Sequence, residues 1–135
     1  MPSPPSKPNP KTKYQDPPMT NEPFFEARII DDDILAVLLR GNLDSANTEE
    51  FDQQIQEHLD EGRSKIIIDC RYLDNITSVG IGRLVTLQIR LRRKGGAVKL
   101  ATLQGPAAEA IQVVGLGKIL DIYGDLEFAR QSFYE

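Results

Sequence analysis

A chain of 135 residues and 15.1 kDa has the length of one domain, and with 40% hydrophobic and 27% charged residues it has a globular composition. One cysteine, Cys70, and one histidine, His58, exclude an internal disulfide and a Cys/His metal cage, and no cofactor is expected. A net charge of −4 argues against general nucleic-acid binding, which relies on Lys and Arg neutralising phosphates. No run reaches the ~18 apolar residues of a membrane span. These features lead to the expectation of a soluble, cytoplasmic protein whose partners are proteins or small ligands.

Eight of the nine prolines precede Phe24, among Lys, Ser, Asn, Thr and Gln. Residues 1–23 are therefore expected to form a disordered tail, because they offer little apolar surface to offset ordering entropy. An inert linker is favoured there over a recognition segment for proline-binding domains. The domain is expected over residues 24–135, with 13 basic and 18 acidic residues and a net charge of −5.

Phe24 to Ile30 and Ile34 to Arg40 are apolar runs separated by Asp31, Asp32 and Asp33, a pattern that predicts a hairpin. The triplet lacks the spaced ligands and terminal Glu of a calcium loop, so it reads as a solvated turn. Gly41-Asn42-Leu43-Asp44 follows as a turn, and Asn47 with Glu50 three residues later predicts a capped helix start. Phe51, Ile55 and Leu59 then form a core-facing stripe, with His58 beside it as a boundary residue and Gly62 as the stop. Ile66-Ile67-Ile68 predicts a buried, central strand over Lys65 to Asp69. Cys70 to Ile76 reads as a loop, and Ser78 to Lys94 as the longest helix, with Ile81, Leu84, Val85, Gln88 and Leu91 inward. A strand over Ala97 to Thr102, a helix over Pro106 to Val114, a strand over Ile119 to Tyr123 and a helix over Leu126 to Phe133 complete the chain. The alternation predicts an α/β fold, a mixed sheet packed against about four helices.

The stretch from Asp69 to Gly82 carries the functional signal: a hydrophobic strand ending in Asp69, then Thr77-Ser78-Val79-Gly80-Ile81-Gly82 opening a helix. Together with Gly41-Asn42-Leu43-Asp44, this resembles the STAS family, the domain shared by bacterial anti-sigma factor antagonists and the cytoplasmic tails of sulfate transporters. The resemblance spans roughly Phe24 to Phe133. It implies a regulatory protein-binding module that sequesters an anti-sigma factor, usually a serine kinase, and is switched by phosphorylation, with a phosphatase of the PP2C type as a further partner. By position, Ser78 falls on the family's phosphorylated serine. The implied partner-binding residues are Gly41, Asn42, Leu43, Asp44, Thr77, Ser78, Val79, Gly80 and Gly82. Two positions depart from the family pattern: Thr77 stands for its aspartate and Val79 for its second serine.

From the residues alone, a plain helix cap at Thr77 or Ser78 is favoured over a phosphoacceptor; the family resemblance brings the two readings level. Thr77 and Val79 favour a second reading within binding proteins, a non-phosphorylated scaffold subunit of a transport or signalling complex. The remaining rival is a small hydrolase with Ser78 as nucleophile. It would need His58 as base, and the Gly-x-Ser-x-Gly elbow fails because position 76 is Ile. Arg90, Arg92, Arg93 and Lys94 fall at a helix C-terminus, where cations complement the macrodipole. Cys70, without a second thiol or an activating histidine, reads as a packing residue.

Overall fold

The computed structural model describes residues 22–115 and 118–135. The proline-rich segment expected to be disordered lies, up to residue 21, outside the described residues. Five strands form one sheet in the order β1-β2-β3-β4-β5: β1 (Phe25–Ile30), β2 (Ile34–Leu43), β3 (Lys65–Ile76), β4 (Ala97–Ala101) and β5 (Asp121–Tyr123). Four helices connect or follow them: α1 (Thr48–Asp60), α2 (Ser78–Arg93), α3 (Gly105–Val113) and α4 (Leu126–Ser132). β1 and β2 are antiparallel across the Asp31–Asp33 turn, whereas β2, β3, β4 and β5 are mutually parallel, so the sheet is mixed as expected.

The isoleucine run of β3 alternates between two cores, the arrangement demanded of a central strand covered on both sides. Ile66 and Ile68 face Phe51, Ile55 and Leu59 of α1, Ile81, Leu84, Leu87 and Leu91 of α2, and Ala107 and Ile111 of α3. Ile67 points the other way, with Ile34 and Ala101, and is covered by Ala129 of α4. Gln88 is a polar residue inside the larger core. It is fully buried, and its amide is spent on two backbone groups, donating to Ile119 O at 3.0 Å and accepting from Val98 N at 2.8 Å.

The short α4 is fastened from below and along its edge. Beneath it, Lys99 is 8% exposed, with its ammonium 4.3 Å from the Phe133 ring centroid, 5.4 Å from that of Tyr123, and 2.6 Å from Ser132 Oγ. At its edge, Arg130 donates to Glu127 and, at 2.7 Å, to Asp31 Oδ2, which also accepts from the Tyr134 hydroxyl at 3.2 Å. Asp33 accepts from Lys65 at 3.1 Å. Two carboxylates of the acidic triplet are therefore paired with cations, in keeping with a structural turn.

Several boundaries differ from the sequence reading. Cys70 to Ile76 is strand rather than loop: β3 continues beside β2, and its ladder with β4 stops at Asp69↔Ala101. Asp69 is therefore not at the strand end. Shifts in register after Leu38 and after Gly41 break the alternation there, which is why this stretch does not read as a strand. Gly41 to Leu43 likewise belongs to β2, and Gly41 takes φ +88° at the second shift, a conformation that costs glycine little. Val85 is only half-buried, and Leu87, at 4% exposure, occupies the core instead. β5 starts at Asp121, two residues later than expected.

Two measurements test this packing. Ile68→Ala should cost about 2–5 kcal/mol in denaturant unfolding, since the side chain is fully buried; a loss below ~1 kcal/mol would place it at the surface. The Arg130 guanidinium beside Asp31 holds that carboxyl below its ordinary value of 3.8. The stabilisation is therefore complete above that value and is lost as pH falls through the lower folded-state value. The difference in Tm between wild type and Asp31→Asn should shrink as the pH is taken from 6 to below 3.8; a constant difference would show that the carboxylate does not hold α4.

Candidate functional site

The site is made where two adjacent parallel strands end. Leu43 of β2 stands opposite Ile76 of β3, so the residues that follow, Asp44 and Thr77, emerge side by side although they are far apart in sequence. The Leu43 carbonyl fixes their relation by accepting from Thr77 N at 3.0 Å. Gly80 then passes directly over it: a Cβ at Gly80 would sit 2.5 Å from Leu43 O and 2.9 Å from Leu43 Cγ. No other residue fits that position without displacing backbone.

After Asp44 the chain is tied by its own side chains. Asp44 Oδ1 accepts from Ala46 N at 2.9 Å, and Asn47 Oδ1 accepts from Asp44 N at 3.0 Å. Asn47 does occupy the N-cap position of α1, but its side chain makes no capping bond. It reaches back to Asp44 and to the Asn42 carbonyl, so the capping expectation for this residue fails. Local turn bonds of an Asn side chain have won over the helix donors.

At the start of α2 the division of labour is clear. Thr77 is the N-cap, in extended conformation, and its Oγ1 accepts from Gly80 N at 3.4 Å. Ser78 is the first helical residue, exposed, and its hydroxyl makes no hydrogen bond among the described residues. Val79 beside it is 44% exposed. The first turn of α2 contains no acidic residue, so the positive end of the helix dipole has no carboxylate to complement it.

The implied partner-binding residues divide accordingly. Leu43 is fully buried and Gly80 is buried, so these two build the surface from below rather than meet a partner. Asn42, Thr77, Ser78, Val79 and Gly82 are exposed, and Gly41 and Asp44 are partly so. Gly82 has open space where a side chain would stand. Nothing among the described residues requires glycine there. The exposed Asp74 and Asn75, on the same stretch of β3, border this surface; their part in it was hidden by the reading of that stretch as a loop.

Other candidates acquire structural roles. Asp52 pairs with Arg83 and Gln56 with Arg90, so α1 and α2 run in the same direction. His58, near the end of α1, therefore lies by the far end of α2, at least about 18 Å along the axis from Ser78 at 1.5 Å per residue. The single imidazole cannot serve as base for that hydroxyl. His58 sits half-buried at the helix boundary, with Nδ1 3.5 Å from Glu61 Oε1. Cys70 is 1% exposed, and burial, with Asp69 nearby, pushes its thiol up to about 12. It stays protonated and unreactive. Among the described residues no group of three or more His, Cys, Asp or Glu side chains is arranged to hold a metal, and no helix is long and apolar enough to cross a membrane.

Gly80→Ala and Gly82→Ala should act in opposite directions. The first forces a methyl against the Leu43 carbonyl and should cost about 1–3 kcal/mol or more, while the second relieves a helical glycine and should gain about 0.5–1 kcal/mol. Equal effects in urea unfolding would mean that Gly80 is not pressed against β2.

The fold agrees with that of known proteins. A BtrV protein of Bordetella bronchiseptica, whose name places it with the anti-sigma factor antagonists, is 26% identical over 102 residues, covering 76% of this chain and 88% of its own. A Thermotoga maritima structure described in the same terms superimposes with a TM-score of 0.77 at 20% identity, over 82% of this chain and 95% of that one. The Bacillus anti-sigma factor antagonist SpoIIAA, solved in unphosphorylated and phosphorylated forms, matches in the former with a TM-score of 0.67 at 20% identity, over 82% and 96% of the two chains. The STAS domain model matches residues 25–129, nearly the whole of the described fold, and the chain belongs to the STAS family.

Proposed function

We propose that this chain is an anti-sigma factor antagonist that binds an anti-sigma factor of the serine-kinase type and is released from it by phosphorylation of Ser78. The observation that carries the reading is the exposed Ser78 hydroxyl, which is left unused because Thr77 performs the capping. A phosphoryl group adds about −1.5 to −2 charge. At this position it meets unpaired helix N–H groups, so the folded domain tolerates it while a partner packed over Val79 and Gly82 does not. A phosphatase of the PP2C type would reverse the modification. The chain acts as a regulatory module of the cytoplasm and not as an enzyme in this account.

Thr77 and Val79, in place of the family's aspartate and second serine, support one other reading, a scaffold subunit that is never phosphorylated. One experiment separates the two. On incubation with ATP and its cognate anti-sigma kinase, the full chain should gain one phosphate, mapped to Ser78 by mass spectrometry. Ser78→Asp should bind that kinase at least tenfold more weakly than wild type, and Ser78→Ala should bind as wild type does, both variants staying folded. Phosphate on Thr77 or on no residue, or full-strength binding by Ser78→Asp, would overturn the switch and leave the scaffold as the better account.

A further inference from the structure

We infer that the solvent face of α2 is a docking strip for an acidic amphipathic helix of the partner, running from Val79 to Arg93. This inference deepens the proposed function by naming the partner's chemistry, and it rests on that reading for the identity of the partner only.

The strip follows from the helix's geometry. Val79, Gly82, Thr86, Ile89 and Arg93 recur at helical spacing on the side opposite the buried residues, and all are exposed. Val79 and Ile89 are 44% and 48% exposed, large apolar side chains about 15 Å apart along the axis. Between them Gly82 and Thr86 are small, and the space above Gly82 is empty, so the helix backbone there lies open to a close-packed ridge from another helix. Apolar ends flanking a shallow waist form a seat for one helix of a partner.

Charge decides which helix. From Ser78 to Arg93, α2 contains no Asp or Glu and four arginines, in a domain that is acidic overall. Two of those arginines are engaged: Arg83 with Asp52 at 3.3 Å, and Arg92 with Asp121 at 3.8 Å and the Ile119 carbonyl at 3.1 Å. Among the described residues Arg90 donates at 2.6 Å to the neutral Gln56 amide and to no carboxylate, and Arg93 makes no ion pair. Two cations without a carboxylate partner among the described residues thus border the C-terminal half of the strip. A carboxylate-bearing helix complements them, whereas a basic one is repelled, and complementarity of this kind sets specificity and association rate. The same arrangement gives sense to a switch at Ser78, since negative charge at the N-terminal end of the strip opposes an acidic occupant.

The test needs no identified partner. The full chain, labelled with nitrogen-15, is titrated with an 18-residue helical peptide whose Leu/Ala stripe is flanked by Glu, and with the same peptide flanked by Lys. The amides of residues 79, 82, 86, 89 and 93 should shift with the Glu peptide, which should bind at least tenfold more tightly than the Lys peptide in 50 mM salt. Arg90→Glu/Arg93→Glu, with thermal unfolding confirming that it is folded, should invert that preference. Shifts on another face, no shift at 1 mM peptide, equal binding of both peptides, or a 20-base-pair DNA duplex outcompeting the Glu peptide would each overturn the strip. Tight binding of the Glu peptide that is the same for Ser78→Asp as for wild type would uphold the strip and count against the switch alone.

Discussion

The hydrogen bond from Thr77 N to the Leu43 carbonyl, at the point where two parallel strands run out together, is the constraint on which the site depends. Parallel strands need a crossover connection, and here that crossover contains α1. The consequence is that two short segments, one before α1 and one before α2, are delivered to the same end of the sheet. Leu43 anchors both. Its side chain fills the core, its carbonyl fixes Thr77, and its backbone sets the closeness at which Gly80 must pass. A larger residue at position 80 would move the start of α2 away from β2 and so separate the two halves of the surface.

Once α2 is placed, the roles of its first residues are fixed by helix geometry. The N-cap side chain satisfies one of the orphan donors of the first turn, and Thr77 fills that place. The next residue is left with a hydroxyl that has no structural duty. A serine that both caps and receives phosphate would have to give up one task to perform the other. Separation of the tasks over Thr77 and Ser78 lets the modification proposed at Ser78 alter the surface without loosening the helix. The lack of acidic residues in the first turn of α2 acts in the same direction, because no carboxylate competes for the helix dipole.

Much of this was legible from the residues. Ile66-Ile67-Ile68 announced a strand buried on both sides, and the four-residue spacing of Phe51, Ile55 and Leu59 announced the inner face of α1. The family resemblance placed both loops on one surface. What stayed hidden were features that depend on long-range pairing. β3 extends to Ile76 because β2 lies beside it, and the register shifts there scramble the alternation by which a strand is recognised. Asn47 looked like a cap until the Asp44 amide and the Asn42 carbonyl competed for its side chain. Thr77 and Ser78 were equivalent as candidate caps in the sequence; only the backbone geometry, extended at Thr77 and helical from Ser78, separates them.

Native-state hydrogen exchange, read amide by amide by NMR, tests the account most directly. The Thr77 amide should exchange only through global unfolding, matching the core amides of β3, because it is bonded to the Leu43 carbonyl. The amides of Ser78 and Val79, the free donors at the start of α2, should exchange orders of magnitude faster. If Thr77 exchanges as fast as Ser78, the junction between β2 and α2 opens locally and the site is not held as described. Equally slow exchange of all three would mean that the helix start is already satisfied, with no room made for charge at Ser78.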